Sequence, residues 1–170
     1  MTPAHDDAAC AMAHGEVRPD TGDRVLVAVF ASPVARYLLR YGADLGFAVF
    51  LLEPAAERAA GWTDVAPIAP ADLDGRADVV VTDHHREELG PVLRDVLAAE
   101  TRWVGVMGNP RHPAPHVPAL RALGVPEDDI ARVHRPIGLN IGSRTPAEIA
   151  VATLAGLLAD RNGRPGGFAF

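Results

Sequence analysis

The chain contains no lysine; all 16 of its basic residues are arginine. That excludes a P-loop, whose lysine faces the terminal phosphates, and Schiff-base or pyridoxal chemistry, which needs an amine nucleophile. There is one cysteine, Cys10. A disulfide framework, a CxxC redox pair and a thiolate zinc cluster are therefore excluded, a reducing compartment fits, and no metal site is expected. No apolar run approaches the roughly 18 residues a membrane span requires. The amino-terminal stretch MTPAHDDAACAMAHGEVRPD is acidic and lacks the basic and apolar regions of a secretory signal. Together these features point to a cytoplasmic protein with no membrane contact. Positive charge is also in deficit, 16 basic against 22 acidic residues for a net charge of -6, which argues against a general grip on nucleic acid and favours small molecules or proteins as partners.

What the chain does have is enough apolar sequence for one full core: 48% of its 170 residues are hydrophobic. Residues 1–23 show no period and read as a flexible lead-in, 24–162 as the folded domain, and 163–170 as a tail. Four apolar runs punctuate the domain, at residues 25–30, 47–52, 79–81 and 103–107. They do not alternate, which suits strands covered on both faces. Between them lie helical periods. Val34, Leu38, Tyr41 and Leu45 mark one face, and Leu89, Val92, Leu93, Val96 and Leu97 another. Thr145-Pro146-Ala147-Glu148 is a capping box with proline at the first helical position, and Asn162-Gly163 ends the helix it opens. Ala152 and Gly156 on that helix would permit close approach to the sheet. The alternation predicts an α/β fold, a three-layer doubly wound Rossmann-like domain with a mostly parallel sheet.

Ligands of such sheets bind outside the carboxyl ends of the strands, so the residues after each run are the candidates. After the first run, Ser32 with Pro33 can cap a helix and leave an anion-friendly N-terminus, although the GxGxxG glycines are absent. An ordinary capped helix start accounts for the same residues. Glu53 ends the second run at about the 20-residue spacing of a ribose-binding carboxylate, and a solvated strand end is an equal reading. The third run leads into Thr82, Asp83, His84 and His85. Either Thr82 or Asp83 could cap the next helix, with one histidine binding an anion or relaying a proton. Gly108, Asn109 and Arg111 follow the fourth run, a turn whose guanidinium suits phosphate or carboxylate and which reads almost as well as a plain surface turn. The sharpest local signal is the last loop, where Gly138, Asn140, Gly142, Arg144 and Thr145 run into the capping-box helix. Glycines admit close backbone approach, and the helix start with Arg144 favours an anion.

The segment PIGLNIGSRTPAEIAVATLAGLLADRNG resembles the C-terminal signature of the XdhC/CoxI family, close to P-I-G-L-D-I-G-x-x-T-P-E-E-I-A. Upstream, RVLVAVFASPVARYLLRYGADLGFAVFLLE is similar to that family's first Rossmann unit, VVVTDHHREELGPVLR to its T-H-D-H segment, and WVGVMGNPRH to its Y-x-G-x-x-G-S-x-R-K turn. Where members carry GAGHVA in the first turn, this chain has Phe30, Ser32 and Pro33. The resemblance implies an accessory protein that binds molybdenum cofactor (molybdopterin) and assists its maturation or insertion into a molybdenum hydroxylase of the xanthine dehydrogenase type. It also implies cooperation with a separate protein carrying the family's N-terminal domain, which is missing here. On this reading the chain holds an anionic pterin or nucleotide and is not itself catalytic, and homodimerisation is left open. Two other readings stand beside it: an NAD(P)-binding oxidoreductase, weakened by the missing glycines, and an interaction module with a vestigial cleft.

Overall fold

The computed structural model describes residues 5–15 and 20–168. His5–Ala13 forms a helix, α1, inside the expected lead-in. Its four alanines explain it, since alanine is the strongest helix former and needs no apolar period. Six parallel strands make one sheet: β1 (Val25–Val29), β2 (Ala48–Leu52), β3 (Ala66–Pro67), β4 (Ala77–Val81), β5 (Trp103–Val106) and β6 (Val133–His134). Their order is β3-β2-β1-β4-β5-β6, so the direction of winding reverses between β1 and β4. The helices between them are α2 (Pro33–Asp44), α3 (Ala56–Ala59), α4 (Leu89–Ala98), α5 (His116–Ala122), α6 (Glu127–Ile130) and α7 (Pro146–Arg161).

Side-chain alternation along β1 divides the core. Val25, Val27 and Val29 join Val79, Val81, Leu93 and Val96 on one face, while Leu26 and Ala28 join Leu38, Leu39, Leu154 and Leu157 on the other. Helix α4 therefore covers the first face, and α2 with α7 the second, which gives the three layers. Each fully buried valine or leucine contributes roughly 1.5–3 kcal/mol, so these clusters hold the sheet between its helices. No helix among the described residues is long and apolar enough to cross a membrane.

Three local expectations are corrected. On α2, Leu38 is buried and Val34 and Tyr41 pack on the core as expected, but the fully buried centre of the face also takes Ala35, Leu39 and Gly42, and Leu45 is exposed. Small residues decide this: a Cβ at Gly42 would lie 2.5 Å from the Leu26 side chain, so only glycine lets the helix sit that close to β1. Gly156 and Ala152 of α7 serve close approach, but to the loop before the helix rather than to the sheet. A Cβ on Gly156 would lie 2.9 Å from Gly138 Cα, and one on Gly138 (φ +84°) 3.0 Å from the Ala152 backbone. Finally, β4 begins two residues before its apolar run, because Asp78 lies in the strand and is fully buried. Arg102 and Arg161 ion-pair with its two carboxylate oxygens, the latter at 2.6 Å. Through Arg161 the last turn of α7 is tied to the sheet's amino-terminal edge.

Candidate functional site

At the carboxyl ends of β1, β2 and β4 the candidate residues bind one another. The Ser32 side chain caps α2, as expected, accepting from Ala35 N at 3.0 Å. Its hydroxyl also donates to Thr82 Oγ1 at 2.8 Å, and Thr82 reaches the Val29 and Phe30 carbonyls at 3.1 and 3.0 Å. Thr82 thus stitches β4 to β1 instead of capping a helix. Asp83 does not cap one either: its Oδ1 accepts from His85 N at 2.9 Å in a local turn, and α4 starts only at Leu89, with no side-chain cap.

Glu53 has no free oxygen for a ribose hydroxyl. Its carboxylate accepts from Ala31 N at 2.8 Å, from Ala55 N at 3.0 Å, and from both terminal nitrogens of Arg86 at 3.0 and 2.8 Å. The side chain is 1% exposed. Burial alone would raise its pKa, but the hydrogen bonds from Arg86, Ala31 and Ala55 and the Arg86 charge together hold it below the ordinary 4.5. Arg86 lies over the Phe30 ring at 4.5 Å, and Phe30, at φ +73°, is fully buried. These three side chains pack on one another at the reversal of winding, and next to them a cavity of about 1020 Å³ is lined by Ala31, Ser32, Pro33, Arg36, Tyr37 and Trp62.

The loops after β4, β5 and β6 are arranged differently. His84 and His85 stand with ring centroids 4.1 Å apart. Partial burial, followed by the charges of His85 and Arg135, lowers the pKa of His84, so its imidazole is neutral at pH 7. Arg135 holds the next turn in shape, donating to the His112 and Asn109 carbonyls at 3.2 and 3.0 Å. Gly108 makes room for it, since a Cβ there would lie 2.7 Å from Nε and Nη2. The Asn109 side chain accepts from Arg111 N at 2.9 Å and shapes the same turn. His116, buried at the start of α5, has an unpartnered Nδ1, and burial with the Arg135 charge lowers its pKa too. The guanidinium groups of Arg111 and Arg144 make no hydrogen bond or ion pair among the described residues. Both residues are exposed, as are Gly138, Asn140 and Gly142.

One expectation for the last loop is narrowed. The capping box forms, with Thr145 Oγ1 accepting from Glu148 N at 3.2 Å. But Glu148 Oε2 accepts from Arg144 N at 2.6 Å and Thr145 N at 3.1 Å, so a carboxylate of the chain already holds two of the amides expected to face an anion. What remains for a ligand there is the Arg144 side chain and the amides of Gly142, Ser143 and Ala147, which have no hydrogen-bond partner among the described residues. Sequence reasoning missed Arg86, His116 and Arg135. Arg86 sits 33 positions from Glu53, and no local spacing links the two. Among the described residues no three His, Cys, Asp or Glu side chains converge to hold a metal ion.

The strand order, the winding reversal and a rim of charged loops at the strands' carboxyl ends define a Rossmann-type α/β domain. The chain belongs to the XdhC Rossmann-domain family, which matches residues 26–157. It is 37% identical over 99 residues to the uncharacterized protein YqeB of Escherichia coli (strain K12), a match covering 56% of this chain and 18% of that protein. In structure it is similar to a Bacillus halodurans protein described as a xanthine dehydrogenase, with a TM-score of 0.65 and 21% identity over 83% of this chain and 45% of the other. The chain thus spans under a fifth of the first relative and under half of the second.

Proposed function

We propose that the chain is the Rossmann module of an XdhC-type accessory protein, which takes up an anionic pterin, molybdopterin or the molybdenum cofactor, as cargo for a client molybdenum hydroxylase of the xanthine dehydrogenase type. The observation that carries this reading is the open half of the rim in a chain of this family: Arg111 and Arg144 with exposed guanidinium groups on the loops after β5 and β6, and His84 on the loop after β4, its pKa lowered by burial. An exposed guanidinium can take a phosphate through two parallel hydrogen bonds. The neutral imidazole can donate to or accept from a pterin ring. Nothing in this arrangement requires bond making by the protein. Its role is to hold, shield and release.

The test is titration of the full chain with molybdopterin released from a hydroxylase. Saturable binding, weakened about tenfold or more in Arg144→Ala or Arg111→Ala, is the expected result; no binding overturns it. The engagement of Glu53, Arg86 and Phe30 with one another favours a second reading, an interaction module whose cleft is vestigial. Client binding that survives loss of both arginines, with no pterin bound, would select it. An NAD(P)-dependent oxidoreductase is the least supported, since Glu53 is engaged by Arg86 and two amides.

A further inference from the structure

We infer that Glu53 is the resident anion of the β1 turn: the place where a doubly wound α/β domain ordinarily takes a ligand phosphate is filled by the chain's own carboxylate, and it binds no dinucleotide. The inference rests on the donors, the room and the charge.

The donors come first. A phosphate at this turn is normally held by backbone N–H groups between the first strand and the first helix. Here Ala31 N, directly after Phe30, donates to Glu53 Oε2 at 2.8 Å. The amide of Ala35, in the first turn of α2, donates to the Ser32 hydroxyl at 3.0 Å, and that hydroxyl is in turn fixed on Thr82. Arg86 is the kind of fork that clamps a phosphate, and both its terminal nitrogens are spent on the same carboxylate, at 3.0 and 2.8 Å. The second consideration is room. In place of glycines that let a pyrophosphate approach the backbone, Phe30 is fully buried with the Arg86 guanidinium 4.5 Å above its ring. Charge is the third. Glu53 is almost wholly buried and Arg86 is shared between it and Glu88, so an incoming phosphate would find the guanidinium already matched by two carboxylates. An amide, a second amide from Ala55 and a guanidinium around one buried anion are the chemistry of an occupied anion site, and the anion is covalently part of the chain.

The inference does not depend on what binds at the other half of the rim, and its test is separate. The wild-type chain is titrated with NADH, NADPH and ATP while the Ala31 and Ala55 amides are followed by NMR. No saturable shift is expected at either amide, and a saturable shift at Ala31 overturns the inference. In Glu53→Ala the melting temperature should fall by roughly 10 °C. Acetate or formate, which fit the space vacated, should restore part of that loss, where sodium chloride at equal ionic strength should not. Unchanged stability, or a loss that acetate repairs no better than chloride, overturns it. Should Glu53→Ala fail to fold, Glu53→Gln keeps the shape and removes the charge. The acid limb of the wild-type stability curve below the ordinary carboxylate value of 4.5 should then flatten, and an unchanged limb overturns the inference.

Discussion

At the ends of β1, β2 and β4 the charged groups Glu53, Arg86 and Glu88 are turned on one another, whereas Arg111 and Arg144, on the loops after β5 and β6, face solvent. Glu53 and Arg86 are 1% and 9% exposed, with every carboxylate oxygen engaged, while Arg111 and Arg144 project from exposed loops. Both regions lie on the same rim and both use arginine. The difference shows that position at the rim does not make a residue available to a ligand. In this chain, availability belongs to the side chains whose counter-charges were left out.

The largest effect should come from breaking the closed half. Glu53→Ala takes from the buried Arg86 guanidinium its buried partner, leaving only the more exposed Glu88 at 3.0 Å, and should cost about 3–4 kcal/mol in denaturant unfolding. Gly138→Ala, in the open half, should follow at about 2–4 kcal/mol. It combines a left-handed backbone position with a methyl 3.0 Å from the α7 backbone, which cannot move aside as a side chain would. Thr145→Ala removes the cap of α7 and should cost about 1 kcal/mol by the same measurement. Arg144→Ala should leave the melting temperature within about 2 °C of wild type, because its side chain is exposed and its guanidinium makes no hydrogen bond or ion pair among the described residues. If Arg144→Ala proved as destabilising as Glu53→Ala, the distinction between the two halves would fail.

Acid should sharpen the comparison. Glu53 has a lowered pKa when folded, so its stabilisation is present above 4.5 and lost as pH falls through the lower folded value. His84 is also lowered, from 6.5; its contribution is complete above that pH and lost as the folded imidazole takes up a proton. An NMR titration of the His84 ring should give a midpoint below 6.5, which moves upward when pyrophosphate is added if an anion sits beside it.

Much of the scaffold was legible because strands covered on both faces need unbroken apolar runs, and four of six strands had them. The exceptions are physical. β3 and β6 are two-residue edges with too few positions to form a pattern, and Asp78 interrupts β4 because its charge is matched by arginines from β5's approach and from α7. In the candidate site, the Ser32 cap and the Thr145 box were readable from neighbouring residues. The Glu53–Arg86 pair was not, since only the folded sheet brings β2's end to the loop after β4. The Glu148 carboxylate was a different kind of miss. The capping box is readable from sequence, and its reciprocal bond implies that the Thr145 amide is taken; the further bond from Arg144 N to the same carboxylate is not.

The contact between Gly138 and Gly156 has a consequence for how the last loop can work. Two stretches of main chain meet without an intervening side chain, and Leu139 N donates to the Ala152 carbonyl at 3.0 Å beside them, so the loop is anchored along the barrel of α7. Its entropy is surrendered when the protein folds, before any guest arrives, and a molecule landing beside Arg144 meets a shelf that need not be frozen into shape.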